Sequence, residues 1–95
     1  MRARFSAYVL ANETFLLATW HANTRPPSVS FPNDVVWETL DVLDTQGGAL
    51  DASGTVEFQA RFRRNGVPLE LHELSSFERI GGNWVYTTGT DPDRT

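Results

Sequence analysis

Two alternating runs of residues, 56–64 and 69–79, face each other across the dipeptide Asn65-Gly66, and that arrangement leaves the chain little choice. A two-residue turn of type I′ needs positive φ at both central positions, which Asn and Gly tolerate better than other residues. A turn of fixed length also fixes the register of the strands it joins. Counting outward pairs Arg64 with Val67, Arg63 with Pro68, Phe62 with Leu69, Arg61 with Glu70, Ala60 with Leu71, Gln59 with His72 and Phe58 with Glu73. Apolar side chains then meet on one face. On the other, Arg61 lies across from Glu70, a favourable cross-strand charge pair. Pro68 falls at a non-hydrogen-bonded pair, where its missing N–H costs the ladder least.

The Gly81-Gly82 turn allows the same count for the next hairpin, with Phe77 opposite Tyr86, Ser75 opposite Thr88 and Arg79 opposite Trp84. Strands are therefore expected over residues 36–45, 56–64, 69–79 and 83–88, in an antiparallel meander. Its inner face carries Phe58, Ala60, Phe62, Leu71, Phe77 and Tyr86, with Trp84 at one end. Its outer face carries Glu57, Gln59, Arg61, Arg63, Glu70, His72 and Glu78, so water or a wet interface covers it. The first strand has conflicting parity: Val36, Leu40 and Val42 favour one face, Trp37 and Leu43 the other. The former set is taken as inward.

Upstream of the strands, Phe5, Tyr8 and Val9 recur at helical spacing, and Phe15, Leu16, Thr19 and Trp20 do so again beyond Asn12-Glu13. Asn12 ends the first helix and caps the second, in a left-handed or capping conformation. Pro26 and Pro27 forbid continuation. Residues 22–33 form a Pro/Ser-rich connection, and the polar residues 89–95 are expected to fray. Two helices covering one face of a curved four-stranded meander make an α+β domain.

Composition narrows the function classes. A chain of 95 residues buries roughly 64% of its unfolded surface, enough for one core and not for a second lobe. It contains no cysteine, hence no disulfide framework, zinc–thiolate site or thiol nucleophile. Twelve acidic against eight basic residues give a net charge of -4, which repels phosphate backbones, so nucleic acid is excluded as a partner. The apolar run after Met1-Arg2-Ala3-Arg4 is interrupted at Asn12-Glu13 and offers no credible signal-peptide cleavage site. No stretch approaches the ~18 apolar residues of a membrane span. A cytoplasmic protein is expected.

The strings Arg4-Phe5-Ser6-Ala7-Tyr8, Leu16-Leu17-Ala18-Thr19-Trp20-His21, Val56-Glu57-Phe58-Gln59-Ala60-Arg61-Phe62, His72-Glu73-Leu74-Ser75-Ser76-Phe77 and Asn83-Trp84-Val85-Tyr86 resemble the middle domain of the YchJ family in order and spacing. The resemblance covers almost the whole chain, so residues 1–95 are read as a single YchJ-like middle domain. It implies a nuclear transport factor 2-like fold, also called cystatin-like, in which a bent sheet wraps around helices to form an open cone. Typical members flank this domain with Cys-rich SEC-C zinc segments, which this sequence does not carry. The resemblance brings no established biochemical activity with it.

Glu73 is the most informative candidate, because the register puts a carboxylate among Leu71, Phe77 and Phe58. A buried carboxylate needs a partner. Ser75 and Thr88 share its face, and Arg4 is the cation expected to cross from the first helix as a structural ion pair. The functional alternative is a pocket acid with a raised pKa. His21, at the end of the second helix, is placed near the mouth of the cone, where it caps the helix, gates the mouth or acts as a base. His72 belongs to the outer face. The string His72-Glu73-Leu74-Ser75-Ser76 lacks the second His of a zincin helix and lies on a strand. Ser75 and Ser76 lack a nucleophile elbow, and neither Gly-Gly pair precedes a helix as a phosphate loop requires. No metal and no cofactor is expected.

The expectation that follows is a non-catalytic small-ligand-binding or accessory module. Its pocket is lined by Tyr8, Trp20, Phe58, Ser75, Phe77 and Tyr86, with Glu73 and His21 as polar groups. The alternative is a small acid–base enzyme of the isomerase or dehydratase type, using Glu73 or His21 for proton transfer. The charged outer face implies a monomer or a weak homodimer.

Overall fold

The computed structural model describes residues 1–48 and 50–92. Two helices precede four strands: α1 (Arg2–Val9), α2 (Glu13–Ala18), β1 (Val35–Gln46), β2 (Ser53–Arg64), β3 (Val67–Ile80) and β4 (Asn83–Thr90). The strands form one antiparallel sheet in sequence order, the α+β architecture that the residue pattern implies.

Asn65 and Gly66 have φ of 52° and 78°, the type I′ geometry, and every pair counted outward from them is formed. Gly81 and Gly82 make a second turn, with Arg79 opposite Trp84 and Phe77 opposite Tyr86 as expected. The expected pairing of Ser75 with Thr88 is not formed. The register shifts so that Ser76 opposes Thr88 and Ser75 opposes Gly89, with Thr87 as the extra residue of a bulge. The Thr87 hydroxyl donates to the Ser76 carbonyl at 2.9 Å. Thr88 therefore leaves the Glu73 face and is exposed, and a glycine takes its place.

Two further bulges settle the parity of β1. Trp37 opposes Phe62 and Thr39 opposes Arg61, with Glu38 extra; Val42 opposes Phe58 and Asp44 opposes Glu57, with Leu43 extra. Each bulge resets the alternation. Trp37, Leu40 and Val42 all face inward opposite inner-face partners, while Val36 is 59% exposed. The expected inward Val36 and outward Trp37 are thus reversed, while Leu40 and Val42 are placed as expected.

Asn12 caps α2, its side chain accepting from the Phe15 N–H at 3.1 Å. The left-handed residue is Ala11, with φ of 53°. The Asn12 N–H donates to the Ala7 carbonyl and the Ala11 N–H to the Tyr8 carbonyl, which is a Schellman closure of α1 with alanine where glycine is usual. Beyond α2 the chain runs beside β4: the His21 N–H donates to Tyr86 and the Tyr86 N–H to Thr19. This parallel bridge between Trp20 and Tyr86 covers part of the open edge of β4.

Among the described residues, those buried are Arg4, Ala7, Leu16, Phe58, Ala60 and Ser75. Arg4 and Ser75 are polar, and both belong to the site described next. The outer face is laced by Arg61–Glu70, Arg63–Glu38 and His72–Glu57 contacts.

Candidate functional site

Arg4 and Tyr8 are four residues apart in α1 and so share one helical face, the face turned to the sheet. The Arg4 guanidinium carbon lies 3.7 Å from the Tyr86 ring centroid, 4.3 Å from that of Trp20 and 5.7 Å from that of Tyr8. Three segments thus build an aromatic box around one cation: α1, the edge segment after α2, and β4. Trp20 and Tyr86 meet edge to face at 4.9 Å, which the parallel bridge between them enforces. Arg4 is only 6% exposed, and its Nη1 is buried with no hydrogen-bond partner. Trp20 Nε1 is a second buried donor without a partner. Cation–π attraction offsets part of the desolvation of Arg4, yet it supplies no acceptor for those hydrogens.

Burial works against the Arg4 charge, while Tyr8, Tyr86 and Glu73 favour it; a guanidinium remains protonated under these conditions. Burial, reinforced by the Glu73 charge and opposed by Arg4, pushes the Tyr86 hydroxyl up to about 12. Tyr86 therefore keeps its proton at neutral pH and is available as a donor.

Glu73 projects from β3 onto the same face, half-buried, and Ser75 Oγ donates to its Oε2 at 2.6 Å. Ser75 is fully buried beneath it. The β4 bulge contributes directly, since a Cβ at Gly89 would fall on the Glu73 carboxylate. Only a residue without a side chain leaves that seat open. The ion pair expected between Arg4 and Glu73 is absent among the described residues. Arg4 is taken up by stacking against Tyr86 and Trp20, Glu73 by its serine, and the two attract each other at longer range.

These groups surround a cavity of about 210 Å³ between α1 and the sheet, lined by Met1, Arg4, Phe5, Tyr8, Trp37, Phe58, Ala60, Leu71, Glu73 and Tyr86. A larger, more open cavity of about 430 Å³ lies toward the Gly47-Gly48 end of the sheet. Met1 lines it as well, with Val56, Phe77, Arg79 and Trp84 among its other walls. Of the residues expected at a pocket, Glu73, Tyr8, Phe58 and Tyr86 line the smaller cavity. Trp20 and Ser75 stand behind it, supporting Arg4 and Glu73. Phe77 borders the larger one, 5.8 Å from the Tyr86 ring.

His21 does not join them. Because Trp20 turns inward against Tyr86, the next residue turns outward, and His21 Nε2 lies 3.1 Å from Glu78 Oε2, a residue of the outer face. The structure therefore corrects the placement of His21 at the mouth beside Glu73: the two lie on opposite faces of the sheet. His72 is on the outer face as expected, 2.6 Å from Glu57.

Sequence reasoning missed Phe5 as a cavity wall and turned Trp37 to the outer face. Phe5 packs edge to face on Trp37 at 6.1 Å, and Trp37 lies 4.9 Å from Phe62. The signal for Trp37 was present as the contradictory parity of β1, which is what a bulge produces. No group of three or more His, Cys, Asp or Glu able to hold a metal exists among the described residues. No helix among them is long and apolar enough to cross a membrane.

Comparison with known proteins places this geometry in a family. The family model described as YchJ, middle NTF2-like domain, matches residues 1–89. A UPF0225 protein of Streptomyces avermitilis is 46% identical over 90 residues, covering 94% of this chain and 61% of the relative. One from Chromobacterium violaceum is 44% identical over 93 residues, covering 94% of this chain and 69% of the relative. The chain thus spans less than two thirds of the length of the first of these. Among solved structures, a SEC-C motif containing protein from Rhodopseudomonas palustris superposes with a TM-score of 0.84 at 30% identity, covering 96% of this chain and 74% of that one. A sec-c motif containing protein from Psychrobacter arcticus has the same fold, with a TM-score of 0.73 at 23% identity, over 93% of this chain and 56% of that one. With its helices and strands in the expected order and the family model matched over residues 1–89, the chain belongs to the YchJ family as a middle, NTF2-like domain.

Proposed function

We propose that this domain is a small-molecule-binding module and that the cavity beneath α1 is its binding site. One observation carries the reading: Arg4 and Glu73, opposite charges with no ion pair between them among the described residues, both stand in the wall of a 210 Å³ cavity whose other walls are largely aromatic. Aromatic walls with a few convergent polar groups are the usual makeup of such sites. The test is a thermal-shift screen of small fragments against the chain and against Ala60→Leu, whose side chain grows into the cavity. A ligand at 100 times its Kd stabilises by about 2.7 kcal/mol. Shifts in the parent that vanish in Ala60→Leu support the site; shifts unaffected by the substitution place binding elsewhere.

A second reading, acid–base catalysis, is favoured by the convergence of the Glu73 carboxylate with the Tyr8 and Tyr86 hydroxyls on one cavity. Glu73 would exchange the proton and the protonated Tyr86 would stabilise developing negative charge. Its measurement is turnover of hydroxy- or keto-compounds that is lost in Glu73→Gln while folding is retained.

A further inference from the structure

We infer that the larger cavity, at the Gly47-Gly48 end of the sheet, is a second binding site, selective for a flat, two-ring aromatic carboxylate. It is separate from the smaller cavity, although Met1 lines both.

Charge sets the sign of the ligand. On a chain of net charge -4, the described residues of this wall include Arg79 and no acid. Burial, with the Arg4 and Arg2 charges, lowers the pKa of the Met1 α-amino group; protonated it adds a positive charge to the wall, deprotonated it adds none. Of the neighbouring acids, Asp44 accepts from Gln46 Nε2 at 3.1 Å, Asp51 accepts from the Gly48 N–H at 2.6 Å, and Glu78 meets His21 on the outer face. All three lie outside the wall. An anion is therefore attracted here, and a cation is repelled.

Arg79 is already in position. Its guanidinium carbon lies 4.6 Å from the Trp84 ring centroid, and Nη2 donates to the Gly48 carbonyl at 3.1 Å in an exposed setting. Nε is enclosed, so the Nη end of the fork is the part that meets a ligand. Stacking and the backbone bond restrain the side chain before a ligand arrives, which lowers the entropy cost of binding. The open side of the cavity lets a carboxylate keep part of its hydration, so the desolvation cost of an ion is reduced.

Shape sets the rest of the ligand. A Cβ at Gly54 would lie 2.6 Å from the Gln46 carbonyl oxygen and 3.5 Å from Trp84 Cη2, so bare backbone forms the floor beside the edge of the Trp84 ring. Val56 and Phe77 add apolar wall, and a flat guest fits between a peptide plane and aromatic rings. A cavity of roughly 150 Å³ accommodates benzene. The 430 Å³ here therefore admits two fused rings and a carboxylate.

The experiment is an NMR titration of the isotopically labelled chain with naphthoate, naphthamide, naphthylmethylammonium and decalin carboxylate. Naphthoate is expected to bind on the order of tenfold more tightly than the others, with shifts at the amides of Gly54, Val56 and Phe77 and at the Trp84 indole N–H. Arg79→Gln should bring naphthoate down to the level of naphthamide, while Arg79→Lys, which keeps the charge, should retain a preference for the anion. Ala60→Leu, which fills the smaller cavity, should leave naphthoate binding unchanged, so the two sites stand or fall separately. Should Arg79→Gln fail to fold, the order of the four probes in the unaltered chain, and the weakening of naphthoate binding by salt, decide instead. Naphthamide or naphthylmethylammonium binding as tightly as naphthoate overturns the choice of an anion, and decalin carboxylate doing so overturns the flat aromatic body. Loss of naphthoate binding in Ala60→Leu, or silence from all four probes, overturns the second site.

Discussion

Glu73 owes its place on an apolar face to one hydroxyl beneath it and one missing side chain beside it. Ser75 satisfies Oε2, and Gly89 leaves the space that a Cβ would occupy. Gly89→Ala should therefore displace the carboxylate and destabilise by about 2 kcal/mol, as overpacking of a fitted site does; urea unfolding measures it, and an unchanged midpoint would refute the seat. Tyr86 gives a pH prediction. Its hydroxyl titrates near 10 in the unfolded chain and is pushed up to about 12 in the fold, first by burial. Between those values the unfolded state has lost the proton that the folded state retains, so stability is fully present below pH ~10 and declines as pH rises toward 12. Phenolate absorbance should show one late-titrating tyrosine, and Tyr86→Phe should remove that part of the alkaline loss.

Helix ends and strand bulges shape the site more than helix or strand propensity does. The Schellman closure of α1 holds Ala11 at φ 53°, a conformation that costs a residue with a Cβ on the order of 1–2 kcal/mol. Ala11→Gly relieves that strain at an exposed position and loosens the unfolded chain, so a net gain of about 0.5–1 kcal/mol is expected, read as a raised melting temperature. An unchanged or lowered value would mean that the turn is not left-handed in solution. Leu16 is the residue through which α2 is anchored, with 0% exposure. Leu16→Ala should cost about 3 kcal/mol by transfer and cavity terms. That is a large share of the ~5–14 kcal/mol expected for a domain of this size, and calorimetry or urea unfolding would measure it. The bulges of β1 do two things at once: they turn Trp37, Leu40 and Val42 all inward, and they interrupt an edge strand that would otherwise pair with another chain.

At the scale of the whole molecule, the radius of gyration of 13.7 Å exceeds the ~12.4 Å of a compact domain of this length. Near the tip of the long β2–β3 hairpin, Val67 and Leu69 are 56% and 44% exposed. The outer sheet face is built from exposed or half-exposed ion pairs such as Arg61–Glu70 and Arg63–Glu38, each worth little to stability and costly to bury dry. A monomer or a weak, wet dimer is the expected state. Sedimentation velocity at nanomolar concentration should give the mass of one chain; a persistent dimer there would contradict the expectation.

The chain by itself determined the hairpin registers nearest its turns, because Asn65-Gly66 and Gly81-Gly82 fix geometry locally and alternation carries it outward. It also determined that Phe58, Ala60 and Tyr86 face the helices and that Glu73 shares their side. That reach ends at each bulge, since one extra residue inverts every later position: Thr88 yields to Gly89, and Val36 to Trp37. Only the tertiary structure decided the partners. Arg4 left Glu73 for the rings of Tyr86 and Trp20, and His21 crossed to Glu78, because the segment after α2 docks on the edge of β4. Such contacts join residues distant in the chain, and no local pattern encodes which of several compatible partners lies within reach once the elements have packed.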